Sequence, residues 1–568
     1  MYKPHYRLIL FLLCARAVCA SVDFVQCFAD IKNGSHGSDG GTDNQGNPVP
    51  RITENTTSIT YELCLSACGS GGGAFSWSSF SQQFSAWLLP WIALLSQFPF
   101  GCTYKMDNLM SAVLALGSPC LAAYSLALTV LNTKWVNRLF ATVRYPNSKR
   151  AALILGSLQH APLKIDTEGG LLASLVVLPD NDDWWRAFSD WLDYADTHAW
   201  SIAAATSVAW VVVAFILTII DAFSTISTDP NSNGQGLSGV GSIWLWMLPV
   251  TIGYLQISPR CDTPRVTRAI ERANEVAFVA GVNGPVNARD ISDARAVSVH
   301  SYRDTLYRDQ EATAPIYSYA RFLSFVQNTE EVYCAFKYAS EKAQKRIPVA
   351  ANERWTPGDG RTVHAANRTG TAQEVEAYCS PPAYVRHSLW REDVLSRFLV
   401  ASIAALGLQW STSGASILIV YFTPTIGLGC RSGAYLLYAA VATLIWVIFV
   451  ISSFLAHYAT TVPETSRVYS FVATLAVFLR RLGKVLATLN AAWIFTAFFL
   501  QFGNFFDRCY CNSDALGLGK RAHVVMTLLG PDISAMRGAW IGGVALGIVG
   551  SILFWAFINL MLVEPLAS

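Results

Sequence analysis

Residues 398–458 read FLVASIAALGLQWSTSGASILIVYFTPTIGLGCRSGAYLLYAAVATLIWVIFVISSFLAHY, two apolar segments joined by the short loop 423–433. Each segment is long enough to span a bilayer, because roughly 20 apolar residues rising about 1.5 Å each cross a hydrocarbon core of about 30 Å. The stretch therefore predicts an all-α integral membrane protein, built as a helical bundle.

The first segment and the loop carry further information. The run STSGAS at 411–416 consists of small residues, which let helix backbones approach closely in a membrane, so this helix should be packed and buried. In the loop, Pro424 cannot continue a helix, while Gly427, Gly429 and Gly433 allow backbone angles that other residues avoid. The loop is interpreted as a shaped cap, either a plain tight turn or a loop that touches a ligand.

The composition places the whole chain in the membrane class. Of the 568 residues, 52% are hydrophobic and only 14% are charged. The net charge is +2 and the basic residues are scattered over several separate parts of the chain, so neither an acidic partner nor nucleic acid is expected. The partner that the composition predicts is the lipid bilayer.

The amino terminus is typical of secretion. Lys3 and Arg7 precede an apolar run at residues 8–14, and small residues at 18–20 suit a signal peptidase. We expect residues 1–20 to be a cleaved signal peptide, with an uncleaved anchor as the alternative.

Residues 21–83 form a polar segment that should be luminal or extracellular. Asn33 and Asn55 lie in sequons and are the candidates for N-glycosylation. Cys27, Cys64 and Cys68 also lie here, the last two on one face of a predicted helix. Disulfides are favoured over a metal site, because no histidine stands at ligand spacing.

Seven full spans are predicted, with eight as the alternative. They are 109–131, 199–220, 237–257, 398–422, 435–455, 485–502 and 540–562. The short apolar stretch 87–100 is interpreted as a re-entrant or interfacial hairpin. The resulting regions are 84–131 (the hairpin and first span), 132–198 (a cytoplasmic loop), 199–257 (two spans), 258–395 (a large cytoplasmic loop) and 396–568 (four spans).

Three basic clusters fix the orientation. Lys and Arg concentrate at 134–150, 260–272 and 467–484, next to predicted spans, and such clusters mark cytoplasmic ends. The amino terminus is then outside and the carboxyl terminus inside. If 87–100 crossed the membrane as an eighth span, everything after residue 100 would reverse, and the clusters argue against this. The expected location is the secretory pathway, at the plasma membrane.

This topology sorts the cysteines. The disulfide candidates are those on the oxidising side: Cys27, Cys64, Cys68, Cys102, Cys430, Cys509 and Cys511. Cys509 and Cys511 would be strained as partners of each other, so Cys430 is expected to pair with one of them. The other connections stay open, and Cys261, Cys334 and Cys379 should be reduced.

Both cytoplasmic loops contain helical patterns. Aromatic residues at helical spacing over 184–192 predict an amphipathic helix, lying on the bilayer or packed against the bundle. The larger loop shows helical periodicity at 265–278 and 317–345. Its length makes it the expected surface for a cytoplasmic protein partner. Residues 468–482 are predicted to be a separate interfacial helix.

Signatures of chemistry are missing from the sequence. There is no phosphate-binding loop, HExxH, GxSxG or kinase motif, so no catalytic, cofactor-binding or metal-ligating residue is predicted, and no cofactor. The span centres are nearly free of ionisable residues, which disfavours ion-coupled transport. We favour a non-enzymatic cell-surface sensor or scaffold. A transporter or channel for a neutral solute or lipid is second, and a membrane-embedded enzyme is third.

Several strings resemble a known family. ITYELCLSACGSG (59–71), TPTIGLGCRSG (423–433) and CYCNS (509–513) are similar to segments of uncharacterised multi-pass membrane proteins of filamentous fungi, as are 80–101 and 114–132. The resemblance covers most of the chain and implies a fungal source and a shared fold. It carries no functional residues over.

Overall fold

The computed structural model describes residues 21–193, 200–227, 239–282, 284–291, 293–299, 306, 308–358, 363–380 and 392–562. The predicted signal peptide at 1–20 lies outside these residues. The fold is mostly helical. The α-helices are α1 (Phe24–Lys32), α2 (Tyr61–Cys68), α3 (Trp77–Gln83), α4 (Leu89–Leu95), α5 (Lys105–Gly117), α6 (Pro119–Phe140), α7 (Ser148–Leu158), α8 (Leu171–Val177), α9 (Asp182–Asp193), α10 (Ile202–Ser224), α11 (Gly239–Trp244), α12 (Met247–Ile257), α13 (Thr263–Glu275), α14 (Arg308–Glu311), α15 (Ser318–Gln344), α16 (Ala372–Cys379), α17 (Glu392–Tyr421), α18 (Cys430–Ala459), α19 (Arg467–Phe502), α20 (Cys509–Asn512), α21 (Ala515–Leu518) and α22 (Gly530–Leu562).

Within the part of the chain that the structure describes, seven short strands accompany the helices. They are β1 (Gly41–Thr42), β2 (Ser58–Thr60), β3 (Leu163–Ile165), β4 (Phe278–Gly281), β5 (Gly284–Asn287), β6 (Val297–Val299) and β7 (His523–Val525). β1, β2 and β7 form one antiparallel sheet, and β3–β6 and β4–β5 form two antiparallel pairs.

By length and composition, five described helices could cross a membrane: α10, α17, α18, α19 and α22. A sixth candidate exists if the bent pair α5 and α6 is taken as one span. These helices are compatible with a membrane protein. The five or six candidates are fewer than the seven or eight spans that the sequence predicted. Residues 468–482, predicted as a separate interfacial helix, are instead the first part of the continuous helix α19.

Small residues bring α17 and α22 together. Ser411, Thr412 and Ser413 are buried, as the sequence predicted for this run. A Cβ at Gly543 would lie 3.0 Å from the Ala415 carbonyl oxygen, and one at Gly550 would overlap Ser411. In lipid the hydrophobic effect does not drive helix association, so close backbone contact of this kind stabilises the helix pair instead.

We call one end of the bundle the disulfide end. It comprises the turn 422–429 between α17 and α18 and the loop 503–529 between α19 and α22. Trp540 Nε1 donates to Thr423 Oγ1 at 3.0 Å, which places the start of α22 at this end. The opposite end, the far end, is marked by Arg397, whose Nη1 lies 2.5 Å from Asn132 Oδ1.

Residues 21–73 cover the disulfide end, and we call them the cap. The β2–β7 pairing sets Thr60 opposite His523 and so joins the cap to the loop 503–529. The Cys64–Cys509 disulfide reinforces the join, with a Cα–Cα distance of 5.7 Å. Cys27–Cys68 lies within the cap, at 5.6 Å, and Cys430–Cys511 links the start of α18 to the loop 503–529, at 5.1 Å. Six of the seven candidate cysteines are therefore paired.

Cys102, the seventh candidate, has no cysteine partner among the described residues, so the expectation for it is wrong. The helical run from α3 through a π-helical turn (Phe84–Leu88) into α4 carries the chain away from the disulfides. Near its start Phe80 stacks on Phe499. Beyond its end the Gly101 carbonyl accepts from Thr263 N at 3.1 Å, near the far end. Cys102 lies buried there as a free thiol.

The predicted span 109–131 is broken in the middle. α5 and α6 meet at Ser118 with a bend of 108°. The break lies inside the bundle, because Ser118 Oγ donates to the Ala442 carbonyl at 2.7 Å. From there α6 returns to the far end, where Asn132 meets Arg397. The stretch 87–100, which was expected to form a hairpin, belongs to the helical run that traverses the bundle. The stretch 109–131, which was expected to traverse the bundle, forms a hairpin instead.

The described residues of 141–193 and 258–380 pack together at the far end, and we call them the far-end subdomain. The predicted helices at 265–278 and 317–345 correspond to α13 and α15. In α9, Trp184, Trp185 and Phe188 are buried, and Trp184 Nε1 donates to Asn274 Oδ1 at 3.2 Å. This helix packs on the protein, which was one of the two predicted placements. The apolar core runs without interruption from the subdomain into the bundle.

Candidate functional site

A cavity of about 530 Å³ lies at the disulfide end, between the cap and the bundle. Phe24 and Phe28 of α1 form one apolar wall, and Val524, Met526 and Leu528 form another. The charged and amide side chains that line it are Arg431, Asp507, Asn512 and Asp514, and hydroxyl groups come from Ser227, Thr425, Ser432 and Thr527. A cavity that combines apolar walls with convergent polar groups can hold a small molecule by both its apolar and its polar parts.

Arg431 organises the polar side of the cavity. It is buried, and each of its three guanidinium nitrogens donates a hydrogen bond: Nε to Gln501 at 2.9 Å, Nη1 to Asn512 at 3.1 Å and Nη2 to Asp507 at 3.0 Å. Burying a charge is tolerated only when it is paired and hydrogen-bonded. The positive charge of Arg431 is thus matched by the Asp507 carboxylate.

Asp514 lines the same cavity but, unlike Asp507, does not pair with Arg431. Its side chain is only 8% exposed, and no described residue donates a hydrogen bond to its carboxylate. Burial raises the pKa of Asp514 from 3.8 to about 7, although the nearby Arg431 acts to lower it. A buried carboxylate without a hydrogen-bond donor is costly, so this group is available to a ligand.

The loop TPTIGLGCRSG positions both charged residues. A Cβ at Gly429 would overlap Oδ1 of Asp514, so the carboxylate rests directly on the backbone of this turn. Val525 N donates to Thr425 Oγ1 at 3.2 Å, and Gly429 N donates to Ser432 Oγ at 2.9 Å. Pro424, Thr425 and Gly429 of this loop line the cavity. Contact of the loop with a ligand, one of the two interpretations from the sequence, stays a prediction.

The Cys430–Cys511 disulfide holds this arrangement together. Cys430 precedes Arg431 at the start of α18, and Cys511 lies three residues before Asp514. The bond therefore fixes two charged residues that are far apart in the sequence against one cavity. Burial together with a raised pKa is typical of functional sites.

A second charged cluster lies where the far-end subdomain meets the bundle. Asp309 of α14 is 2% exposed and accepts hydrogen bonds from Tyr319 at 2.5 Å and from Lys484 at 2.6 Å. Arg480 lies 3.8 Å from the same carboxylate. Lys484 and Arg480 belong to α19, and so does Gln501, which contacts Arg431. One helix therefore connects the two clusters, about 25 Å apart along its axis at 1.5 Å per residue.

The sequence did not predict either cluster. Arg431 directly follows a cysteine at the start of an apolar helix, and this was the one local signal for it. Asp309 and Asp514 look like ordinary loop acids. Their roles depend on contacts with α19 and α18, which no local pattern encodes.

The predicted glycosylation residues differ in accessibility. Asn33 and Asn55 are exposed on the cap. Asn367, in a third sequon, is 1% exposed, and its amide exchanges two hydrogen bonds with the Thr356 backbone at 2.8 and 2.7 Å. Within the described residues, no cluster of three or more His, Cys, Asp or Glu side chains could hold a metal ion.

Comparison with protein-family models, with curated proteins and with solved structures finds no match to this chain. The function must therefore be argued from the site.

Proposed function

We propose that the chain crosses the membrane seven times, with the cap outside and the far-end subdomain in the cytoplasm. The crossings would be 77–95, 202–224, 239–257, 393–421, 430–459, 467–502 and 530–562. Residues 105–140 would enter from the cytoplasmic side and return. Two features support this orientation: the three disulfides, which persist in oxidising compartments, and the three basic sequence clusters, which favour the cytoplasmic side.

Glycosylation mapping tests the orientation. Asn33→Gln and Asn55→Gln should each remove an endoglycosidase-sensitive mass shift, whereas Asn367→Gln should leave the mass pattern unchanged. A sugar on Asn367 would place the far-end subdomain outside and overturn the proposed topology.

Within this topology the protein acts as a non-enzymatic cell-surface sensor, located at the plasma membrane, that binds a small molecule in the disulfide-end cavity. The observation that carries this proposal is the buried carboxylate of Asp514 beside the Arg431 network, under a cap locked by disulfides. Such a site can change its hydrogen bonding when a ligand enters.

A physical route connects the site to the cytoplasmic side. Gln501 accepts from Arg431 at one end of α19, and Lys484 donates to Asp309 further along the same helix. A ligand that shifts Arg431 would move α19 and bias the Asp309 contact with the subdomain. Differential contacts in two states are what a signalling transition needs.

The test combines ligand screening with hydrogen exchange on the purified full-length chain. A library of small amines, alcohols and acids should contain compounds that raise the unfolding temperature of the wild type but not of Asp514→Asn. Those compounds should also change amide exchange in 308–311. Two results would count against a sensor. One is a library in which no compound stabilises the protein through Asp514, and the other is binding that leaves amide exchange in 308–311 unchanged.

The far-end subdomain is the surface proposed for a cytoplasmic partner. A second cavity, of about 640 Å³, is lined by Glu330, Glu331 and Glu376 of the subdomain and by His457 at the end of α18. Acidic side chains at a boundary between subdomain and bundle favour a basic segment of a partner.

A transporter or channel for a neutral solute or lipid is the alternative, and the broken hairpin α5–α6 favours it. Transporters often place a helix break near the membrane centre. Here, however, backbone groups that the break frees already have hydrogen-bond partners within the protein. Asn490 Nδ2 donates to the Gly117 carbonyl at 2.8 Å, and Gln409 Oε1 accepts from Cys120 N at 3.0 Å. Liposomes containing the protein would have to show solute flux that Gln409→Leu alters.

A further inference from the structure

The charges around the disulfide-end cavity do not balance. Arg431 is the positive side chain lining it, and Asp507 takes up that charge at 3.0 Å. Asp514 then contributes a second carboxylate with no positive partner of its own among the described residues that line the cavity. When both acids are ionised, this lining carries one net negative charge.

The cavity walls add a second requirement. Phe28, Val524, Met526 and Leu528 present apolar surface, while the Asp514 carboxylate lies against Gly429. A volume of about 530 Å³ falls in the range of sites for small organic molecules. A fitting ligand therefore has an apolar body and one polar end.

We propose that this cavity binds a small amphipathic monocation, an organic amine whose ammonium group pairs with Asp514 and whose apolar part contacts Phe28 and the 524–528 wall. This inference rests on the proposed function, because it names the ligand class of the same sensing site. The ammonium group supplies the donors that the buried carboxylate lacks, and the pair is charge-assisted.

Other ligand classes fit the cavity less well. An anion would have to displace Asp507 from Arg431 and would face Asp514 as a like charge. A neutral alcohol could donate one hydrogen bond but would leave the negative charge buried and unmatched. Desolvating an unmatched charge is the costlier outcome.

The experiment measures binding of three probes of similar size to the full-length protein in nanodiscs at pH 8. The probes are 2-phenylethylamine, 2-phenylethanol and 3-phenylpropionate, which carry a positive, a neutral and a negative polar end. We expect the amine to bind at least tenfold more tightly than the alcohol, and the carboxylate not to bind.

Two variants locate the effect. Asp514→Asn keeps the size of the side chain and should abolish the preference for the amine. Asp39→Asn, in the cap but outside the cavity lining, should keep it. Equal binding of amine and alcohol, or a preference that survives in Asp514→Asn, would overturn the ligand class.

Hydrogen exchange in the same samples separates this inference from the proposed function. If the amine binds through Asp514 but exchange at 308–311 does not change, the ligand class stands and the sensor fails. If the alcohol or the carboxylate is preferred and exchange does change, the sensor stands and the amine is wrong.

Discussion

Arg431 donates from Nη2 to Oδ1 of Asp507 at 3.0 Å, and this contact joins the start of α18 to the loop between α19 and α22. The same loop bears Cys509 and Cys511, which are disulfide-bonded to the cap and to Cys430. The charged pair thus lies at the point where cap, loop and bundle meet.

Removing the charge of Arg431 should destabilise this junction. Arg431→Gln leaves Asp507 without its partner, and breaking a buried pair costs about 3–5 kcal/mol, with the lower end expected because Asp507 is 31% exposed. The measurement is the apparent free energy of unfolding in detergent. Arg521→Gln, an exposed arginine in the same loop, is the control and should change stability by less than about 0.5 kcal/mol. Equal losses in both variants would refute the assigned role.

The free energy of unfolding should fall as the pH rises from about 4 to about 7. The reason is that the pKa of Asp514 is about 7 in the folded protein, against an ordinary value of 3.8. Between these values the folded protein holds a proton that the unfolded chain has released, so raising the pH favours unfolding. The rise in pKa corresponds to a decrease of at most about 4 kcal/mol in the free energy of unfolding over this pH range.

The variant Asp514→Asn isolates this effect. Unfolding curves at pH 5 and pH 8 should show a smaller pH difference for Asp514→Asn than for the wild type, and at pH 8 the variant should be the more stable of the two. Asp514→Glu, which keeps a carboxyl group in the cavity, should retain the wild-type fall. A wild type that gains stability between pH 5 and pH 8 relative to Asp514→Asn would contradict the expected sign.

Gly117 should tolerate no side chain. A Cβ there would overlap the Ala487 backbone, because the hairpin apex lies directly against α19. Gly117→Ala is expected to lower stability by roughly 2–4 kcal/mol through overpacking. Thermal unfolding checks this. Gly156→Ala, in the helix α7 with its nearest neighbouring atom at 3.8 Å, should be neutral or stabilising by up to about 1 kcal/mol. Similar stabilities of the two variants would place the hairpin elsewhere.

Peptide mapping of the unreduced protein should find three disulfide-linked pairs, Cys27–Cys68, Cys64–Cys509 and Cys430–Cys511. Cys102 should be recovered as a free thiol that alkylating reagents modify only after unfolding, because it is buried. Replacing Cys430 and Cys511 together by Ser should cost about 2–5 kcal/mol. A peptide in which Cys102 is linked to a cap cysteine would contradict the path of the helical run 77–95.

The amino-acid sequence by itself determined that the chain is mostly helical, with several helices long and apolar enough to cross a membrane, and that a cysteine-bearing cap is separate from the charged segments 132–198 and 258–395. Apolar length and helical periodicity are local properties, which is why α13, α15, α17 and α18 match their predicted positions closely. The small residues at 411–416 predicted a buried helix for the same reason, since side-chain size alone permits close packing.

Only the tertiary structure decided which apolar stretch traverses the bundle. Residues 109–131 contain no charged residue, yet the helix breaks at Ser118, directly before Pro119, which cannot continue it. Asn490, Tyr438 and Gln409 satisfy backbone groups that the break exposes. Residues 77–95 contain more polar side chains, yet they run through the bundle: Phe80 and Phe84 contact Phe499 of α19, and Leu89–Leu95 packs against α10 and α12. The cysteine pairing and the cavity around Arg431 and Asp514 were likewise decided by contacts between residues far apart in sequence, because a linear pattern records composition and spacing but not distance in space.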